Sequence, residues 1–378
     1  MKKKRLGYNK YTLMRDLACL FILGILVGHL ISIPIIVWRV LFVVLIIIAV
    51  AANFERLNKL EGFVVALTLY CSLLFVVYYD PGDISRFGSI LFTVPTLILF
   101  SFLDTKGVIT QKWINFMCVI FVIAAAIYYR YRESVFLEEF FELADYGFTN
   151  NASTVFTGLL ALLLLSDKKY IVLGGYAICW LFLLMSSKRG NMVEAFIPTT
   201  ILFFQFIKTG KRKVWIFPLT VAIFALGIYY GIQIFNENAF LVSKMDVGSN
   251  GRDIIWATLL DMWSRSSNLL KVIFGYGLSG CIELTRGMPA HNDWLEILVD
   301  YGLVGFAMQI GIFVSLFQLM KIKSPYRLTL IAAFGVWFIK TMISMGFTDP
   351  LNVFTFVTLG IVMSRTLNLE NKNNIIHE

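Results

Sequence analysis

Charge is scarce in this chain. Only 15% of its 378 residues are Asp, Glu, Lys or Arg, whereas 58% are hydrophobic. A soluble domain of this size carries about 25% charged residues. With a mean hydropathy of +0.76, so much apolar surface has nowhere to go except lipid. Catalytic signatures are missing as well. There is no Walker loop, no GxGxxG opening a helix after a strand, no HExxH and no GxSxG. The five cysteines show neither CxxC nor Cys/His metal spacing. Four lie in apolar runs as packing residues, and Cys281 stands alone in a polar segment without a disulfide partner there. No metal and no cofactor are expected. The first apolar run lacks a small-residue cleavage pattern and reads as an anchor. The formal net charge of +9 does not point to nucleic acid, because the basic residues sit in short clusters at the ends of apolar runs.

A membrane-spanning helix needs about 20 mostly apolar residues. Runs at roughly 16–33, 35–52, 62–79, 87–103, 112–129, 152–166, 170–187, 191–207, 213–234, 298–320, 326–345 and 348–366 give about twelve such helices in a single all-α integral membrane domain, 1–378. The amino terminus carries Lys2, Lys3, Lys4, Arg5, Lys10 and Arg15. Alternate connections are then short and basic: Arg56/Lys59, Lys106/Lys112, Lys168/Lys169, Lys208/Lys211/Arg212/Lys213, Lys321/Lys323/Arg327 and Arg365/Lys372. By the positive-inside rule both termini are expected in the cytoplasm. The other connections would lie outside: Asp80 to Arg86, an acidic loop over 130–151, Ser186 to Gly190, a large loop subdomain over 235–297, and Gly346 to Pro350. Within 235–297, apolar residues from Arg252 to Ser264 have helical spacing (Ile255, Trp256, Leu259, Leu260, Trp263). A glycine turn follows at Gly275 to Gly277, and a second helix is expected to open near Ala290.

The chain has three histidines. His377 lies in a polar tail, and His29 reads as a packed imidazole near the end of the first span. His291 sits in PAHNDWLE (Pro289 to Glu296), where a polar loop meets a helix. There it is either a proton-transfer group or a helix cap beside Asn292. Asp293, Glu296 and Asp300 follow at i, i+3 and i+7. They form either a solvated acidic face or a stripe with one member orienting the imidazole or an acceptor hydroxyl. SSKRGN (Ser186 to Asn191) places Arg189 at the expected outer face, against the positive-inside trend; simple snorkelling is the alternative. Arg252, in GSNGRD (Gly248 to Asp253), follows a glycine turn and opens a helix, a ready anion site, unless it is solvated or paired with Asp253. Arg265, Lys271 and Arg286 add positive charge to the same segment. Inside the spans, Arg39, Glu194 and Lys340 either snorkel or line a polar cavity.

Taken together, GRDIIW (Gly251 to Trp256), FGYG (Phe274 to Gly277), AHNDWLE (Ala290 to Glu296) and YGLVG (Tyr301 to Gly305), with Arg189-Gly190 before them, resemble the O-antigen ligase/polymerase superfamily. The likeness covers roughly residues 185–310; the first half of the chain agrees only in hydropathy. The resemblance implies a GT-C-like, metal-independent, inverting membrane glycosyltransferase of the bacterial inner membrane, with its active site on the periplasmic face. Its donor would be an undecaprenyl-diphosphate-linked oligosaccharide and its acceptor a glycan, with membrane lipids around it and a chain-length regulator as a possible partner. By the same resemblance Arg189 and Arg252, supported by Arg265 and Arg286, would bind the diphosphate. His291 would be the catalytic residue, with Glu296 or Asp293 orienting it. An O-antigen polymerase is the leading expectation. An O-antigen ligase acting on lipid A-core is the alternative, and a polysaccharide flippase a third.

Overall fold

The computed structural model describes residues 9–139, 151–186, 188–209 and 252–377. The described residues form helices and turns with no strand. The helices are α1 (Lys10–Val27), α2 (Ile35–Asn53), α3 (Lys59–Val77), α4 (Ile84–Phe92), α5 (Thr96–Thr105), α6 (Gln111–Glu139), α7 (Thr154–Leu163), α8 (Lys169–Met185), α9 (Arg189–Thr209), α10 (Arg252–Ser264), α11 (Leu269–Phe274), α12 (Gly280–Leu284), α13 (Asp293–Lys321), α14 (Arg327–Ile343) and α15 (Val353–His377). Among the described residues, seven stretches are long and apolar enough to cross a bilayer: Lys10–Ile31, Ile35–Arg56, Lys59–Val77, Pro81–Thr105, Gln111–Val135, Asp293–Lys321 and Pro350–Glu370. These mark a membrane-embedded protein. The runs read over 152–166 and 170–187 appear as the shorter apolar helices Asn151–Leu163 and Lys169–Met185. The run over 213–234 and the whole of 235–251 lie outside the described residues.

Burial sorts the helices into layers. All ten residues of α7 are buried, as is most of α5 and the apolar part of α15. On the rim, α3 exposes Leu69, Leu73 and Val76, an i, i+4, i+7 stripe that only lipid can cover. The fourth apolar run is not one helix. It breaks at Thr93–Pro95, since proline has no N–H for the ladder. The hydroxyls of Thr93 and Thr96 bond back to the carbonyls of Ser89 and Phe92 at 2.7 and 2.6 Å.

The chain shuttles between two ends. At the basic end, Arg365 pairs with Asp104 at 3.1 Å and Arg15 donates to the Val108 carbonyl at 2.8 Å. At the other, the loop end, α10, α11 and α12 pack on the start of α13 with a small core of their own: Leu259, Cys281, Ala290, Leu295 and Val299. Part of the acidic loop, 130–139, continues α6; 140–150 lie outside the described residues. The apolar run over 298–320 conceals a kink. Gly302 has φ 63° and ψ −167° and divides α13 into an upper piece in the loop end and a longer apolar piece below. Gly275, at φ 91°, docks into that kink, where a side chain would stand 2.1 Å from the Asp300 carbonyl oxygen. The FGYG turn is held there by Tyr276 N–H to Val299 O and Gly277 N–H to Asp300 O, both 3.0 Å. Tyr70 of α3 closes the junction by donating to the Phe274 carbonyl at 2.7 Å.

Candidate functional site

Asn292, not His291, caps α13, its side-chain oxygen accepting the Leu295 N–H at 3.1 Å. His291 is left half-buried just before the cap with φ 51°, a left-handed conformation that a non-glycine residue adopts only when its surroundings impose it. The constraint is visible. Its backbone N–H donates to Glu296 Oε1 at 3.2 Å, and the Ala290 carbonyl before it accepts from Trp256 Nε1 of α10 at 2.7 Å. The imidazole makes no hydrogen bond among the described residues.

The acidic stripe is not a solvated face. Asp293, Glu296 and Asp300 are 1%, 2% and 0% exposed. Arg86 of α4 bridges two of them, Nη2 lying 2.9 Å from Glu296 Oε2 and 2.7 Å from Asp300 Oδ2. Asp300 Oδ1 accepts the Cys281 N–H at 2.6 Å. Asp293 Oδ2 accepts the N–H groups of Gly346 and Phe347 at 2.7 and 2.6 Å. Neither Glu296 nor Asp293 bonds the imidazole among the described residues: both Glu296 oxygens and Asp293 Oδ2 hold Arg86 or backbone, and Glu296 meets His291 through its main chain. Arg86, counted in the sequence only as the end of a loop, organises this pocket. Ser279 of the loop end also donates to Asp83, three residues before Arg86.

The segment after α14 draws the remaining parts together. Helix carboxyl ends leave carbonyls without intrahelical partners, and here two are taken from the loop end. Arg252 Nη1 donates to the Ile343 carbonyl at 2.9 Å, and Asn292 Nδ2 to that of Met342 at 3.2 Å. Trp294 Nε1 donates to Thr341 Oγ1 at 3.1 Å. Gly190 lies against the Ile343 side chain, so the turn that opens α9 abuts the residue Arg252 grips. Arg189 begins that helix; its side chain lies outside the described residues. Next to it, Lys188 donates to Thr154 Oγ1 at 3.3 Å. Lys188, which the sequence shows only as the neighbour of Arg189 in SSKRGN, thus lies in the same cluster.

His291 responds to these cations. Its pKa is lowered from the usual histidine value, by burial first and then by Arg252 and Lys188. Lys188 is itself pushed down to about 8, by burial and then by Lys340, with Arg252 adding to it against the pull of Asp349 and Glu194. Lys340 and Glu194 are both 0% exposed, so they do not snorkel. Lys340 Nζ lies 3.3 Å from Asp349 Oδ2. The result is a half-buried neutral imidazole beside a cluster with excess positive charge.

Two expected diphosphate ligands stay outside this cluster. Arg265 is 80% exposed along its side chain and pairs with Asp261 at 2.7 Å. It lies thirteen residues beyond Arg252, about 20 Å along α10 at 1.5 Å per residue. Arg286 is exposed on the turn after α12. Lys271 lies over the Tyr276 ring at 4.8 Å. His29 stacks on Tyr131 with centroids 3.7 Å apart, a packing arrangement. All five cysteines are buried and free, and burial raises the pKa of the Cys281 thiol. No protein-family model matches the chain, and no curated protein matches it.

Proposed function

We propose that this protein is a bacterial surface-polysaccharide polymerase: an inverting glycosyltransferase that moves a glycan from undecaprenyl diphosphate to a sugar hydroxyl of another lipid-linked repeat unit. In this reading the chain has about twelve spans in a GT-C-like arrangement in the inner membrane. Both termini are cytoplasmic and the loop end faces the periplasm. The observation that carries the proposal is His291. Its main chain is pinned by Glu296, and its ring is kept neutral beside Arg252 and Lys188.

A neutral imidazole can take a proton. His291 accepts it from the acceptor hydroxyl as the oxygen attacks the anomeric carbon. The bond from that carbon to the diphosphate oxygen breaks, and its electron pair leaves with the diphosphate. Negative charge grows on the departing oxygen, where fixed cations lower the barrier most. Arg252 and Lys188 supply them, joined by Arg189 in the same turn as Lys188. Attack from the face opposite the leaving group inverts the anomeric configuration.

The ligase alternative uses the same groups with lipid A-core as acceptor. One observation favours the flippase reading: the break at Thr93–Pro95 lies inside an apolar run, where transporters place discontinuous helices. Its threonine hydroxyls are, however, turned back onto the helix rather than offered to a substrate. The test uses the full chain purified in detergent with undecaprenyl-diphosphate-linked repeat units, with and without lipid A-core. The wild type should lengthen the carrier-linked glycan, and His291→Ala should not, while still folding in the membrane. Wild-type polymer from His291→Ala would overturn the mechanism. Transfer only to lipid A-core would make the enzyme a ligase, and no covalent product would favour transport.

A further inference from the structure

Arg39 lies apart from the chemistry described above and lines a cavity of its own. It is a widely open cleft of about 510 Å³ at the loop end, between the start of α2 and the start of α4, lined by Ile35, Ile36, Arg39, Pro81, Gly82, Ile84 and Ser85. That volume is in the range of small-molecule sites. Its composition is split. Ile35, Ile36 and Ile84 are 37%, 47% and 48% exposed and form an apolar mouth on the lipid-facing rim, next to the exposed Val37 and Val40. Its polar part is Arg39, the Ser85 hydroxyl and the turn at Pro81 and Gly82.

Arg39 is not snorkelling freely. Its Nε is buried without a hydrogen bond, and the guanidinium makes no ion pair or hydrogen bond among the described residues. The groups of opposite charge that act on it are Tyr128 and then Asp349, and Asp349 is already taken up by Lys340 and by the Leu351 N–H. Asp80, at the rim, spends one oxygen on the Gly82 N–H at 2.8 Å. Arg39 lies four residues into α2, about 6 Å from its start at 1.5 Å per residue. That is close to one end of the span Ile35–Arg56, within reach of a lipid head. A half-buried guanidinium with open donors suits a phosphate; the isoleucine mouth suits a hydrocarbon chain.

We propose that this cavity binds the phosphate head of a membrane lipid, with the chain of that lipid running out between Ile36 and Ile84. The site is separate from the Arg252–Lys188 cluster. Resting on the polymerase reading, it would seat the carrier phosphate of the second lipid-linked substrate, so that two polyprenyl carriers are held at once.

The test is binding, not turnover. The full chain in detergent micelles is titrated by native mass spectrometry with undecaprenyl monophosphate, with uncharged undecaprenol and with phosphatidylglycerol. Undecaprenyl monophosphate should bind with an affinity that falls about tenfold in Arg39→Gln, the scale of one charge-assisted contact. Arg39→Lys should recover part of that loss. Ile36→Trp, at an exposed position, should weaken binding by filling the mouth without touching the charge. Asp80→Asn should strengthen it slightly. Arg252→Gln should leave this binding in place. Phosphatidylglycerol competing equally supports a site for bulk anionic lipid; competition by neither it nor undecaprenol supports the carrier as the ligand. Unchanged binding in both Arg39→Gln and Ile36→Trp, or loss only in Arg252→Gln, overturns the site. If Arg39-dependent binding persists but no variant or wild type makes polymer, the polymerase reading fails and the lipid site stands.

Discussion

Two charged regions flank His291, and they are built on opposite principles. On one side, Asp293, Glu296 and Asp300 are almost wholly buried, and the oxygens that bond are directed to Arg86 or to named backbone N–H groups. On the other, Lys340 meets Asp349 only at 3.3 Å and Lys188 touches a single hydroxyl. On the acidic side the single cation Arg86, although its Nε and Nη1 have no hydrogen-bond partner among the described residues, is offset by two carboxylates, and such a balanced network holds structure. On the basic side the cations outnumber the carboxylates beside them, and that excess invites an anion. The acidic side therefore reads as the frame of the site and the basic side as its binding surface.

The largest effect should come from breaking the frame. Arg86→Leu leaves Glu296 and Asp300 buried without their counter-charge, which costs about 3–5 kcal/mol for a buried pair that loses one member. Thermal unfolding in detergent should show a large fall, and activity should go with it. Gly302→Ala acts on the same frame by steric means, since its side chain would stand 2.4 Å from the Ile273 carbonyl oxygen. If Arg86→Leu unfolds like the wild type, the acidic pocket is not the frame.

The binding surface should respond in the opposite way. Arg252→Gln gives up a bond to the Ile343 carbonyl but strands no buried carboxylate pair, so the unfolding temperature should fall less than in Arg86→Leu. Losing a charge-assisted contact to the leaving diphosphate should lower kcat/KM by about tenfold to a hundredfold. A loss of stability matching that of Arg86→Leu would erase the distinction between the two regions.

Much of this was legible in the sequence. Lipid forces apolar runs of fixed length, so seven of the apolar runs could be read directly as the stretches long enough to cross a bilayer among the described residues. His291 and Arg252 stood out because polar motifs at helix starts are rare in such a chain. Arg86 did not, because a cation at the edge of an apolar run looks the same whether it meets water or a buried carboxylate. The kink at Gly302 was hidden because hydropathy carries no φ angle, and YGLVG continues an apolar run without a gap. The break before Thr96 was signalled by Pro95. The distance of Arg265 from Arg252 was not legible either, because membership of the same segment says nothing of distance along a rigid helix.

The pH dependence of turnover sharpens the comparison further. His291 works only when neutral, and its pKa is lowered by burial, Arg252 and Lys188. Activity should therefore be lost as pH falls through a value below about 6.5, the ordinary histidine pKa. Lys188→Gln removes a repelling cation, so this acidic limb should move upward toward the ordinary value. At the other end, Lys188 itself loses its charge near about 8, and a second limb should appear as pH rises past that point. Lys188→Arg keeps the charge throughout and should abolish the alkaline limb while leaving the acidic one. A profile of kcat/KM against pH for the three proteins checks all of this. An acidic limb that stays fixed in Lys188→Gln would mean that the titrating group is not His291.

The smallest effect belongs to the arginines outside both regions. Arg265 is highly exposed and already paired with Asp261; an exposed pair of this kind contributes about 0.2–1 kcal/mol. Arg265→Gln and Arg286→Gln should each leave the unfolding temperature nearly unchanged and alter kcat/KM by less than about twofold, consistent with surface substitutions away from any buried feature. These variants separate two accounts of the loop end. If positive charge anywhere in the loop draws in the anionic carrier, both substitutions should slow turnover, more strongly at low ionic strength, where long-range attraction is less screened. If only the cations gathered around the α14 terminus act, both should be silent at every salt concentration while Arg252→Gln remains impaired. The geometry favours the second outcome, because Arg252 is fixed to Ile343 beside the turn that carries Lys188, whereas Arg265 lies at the far end of the same helix.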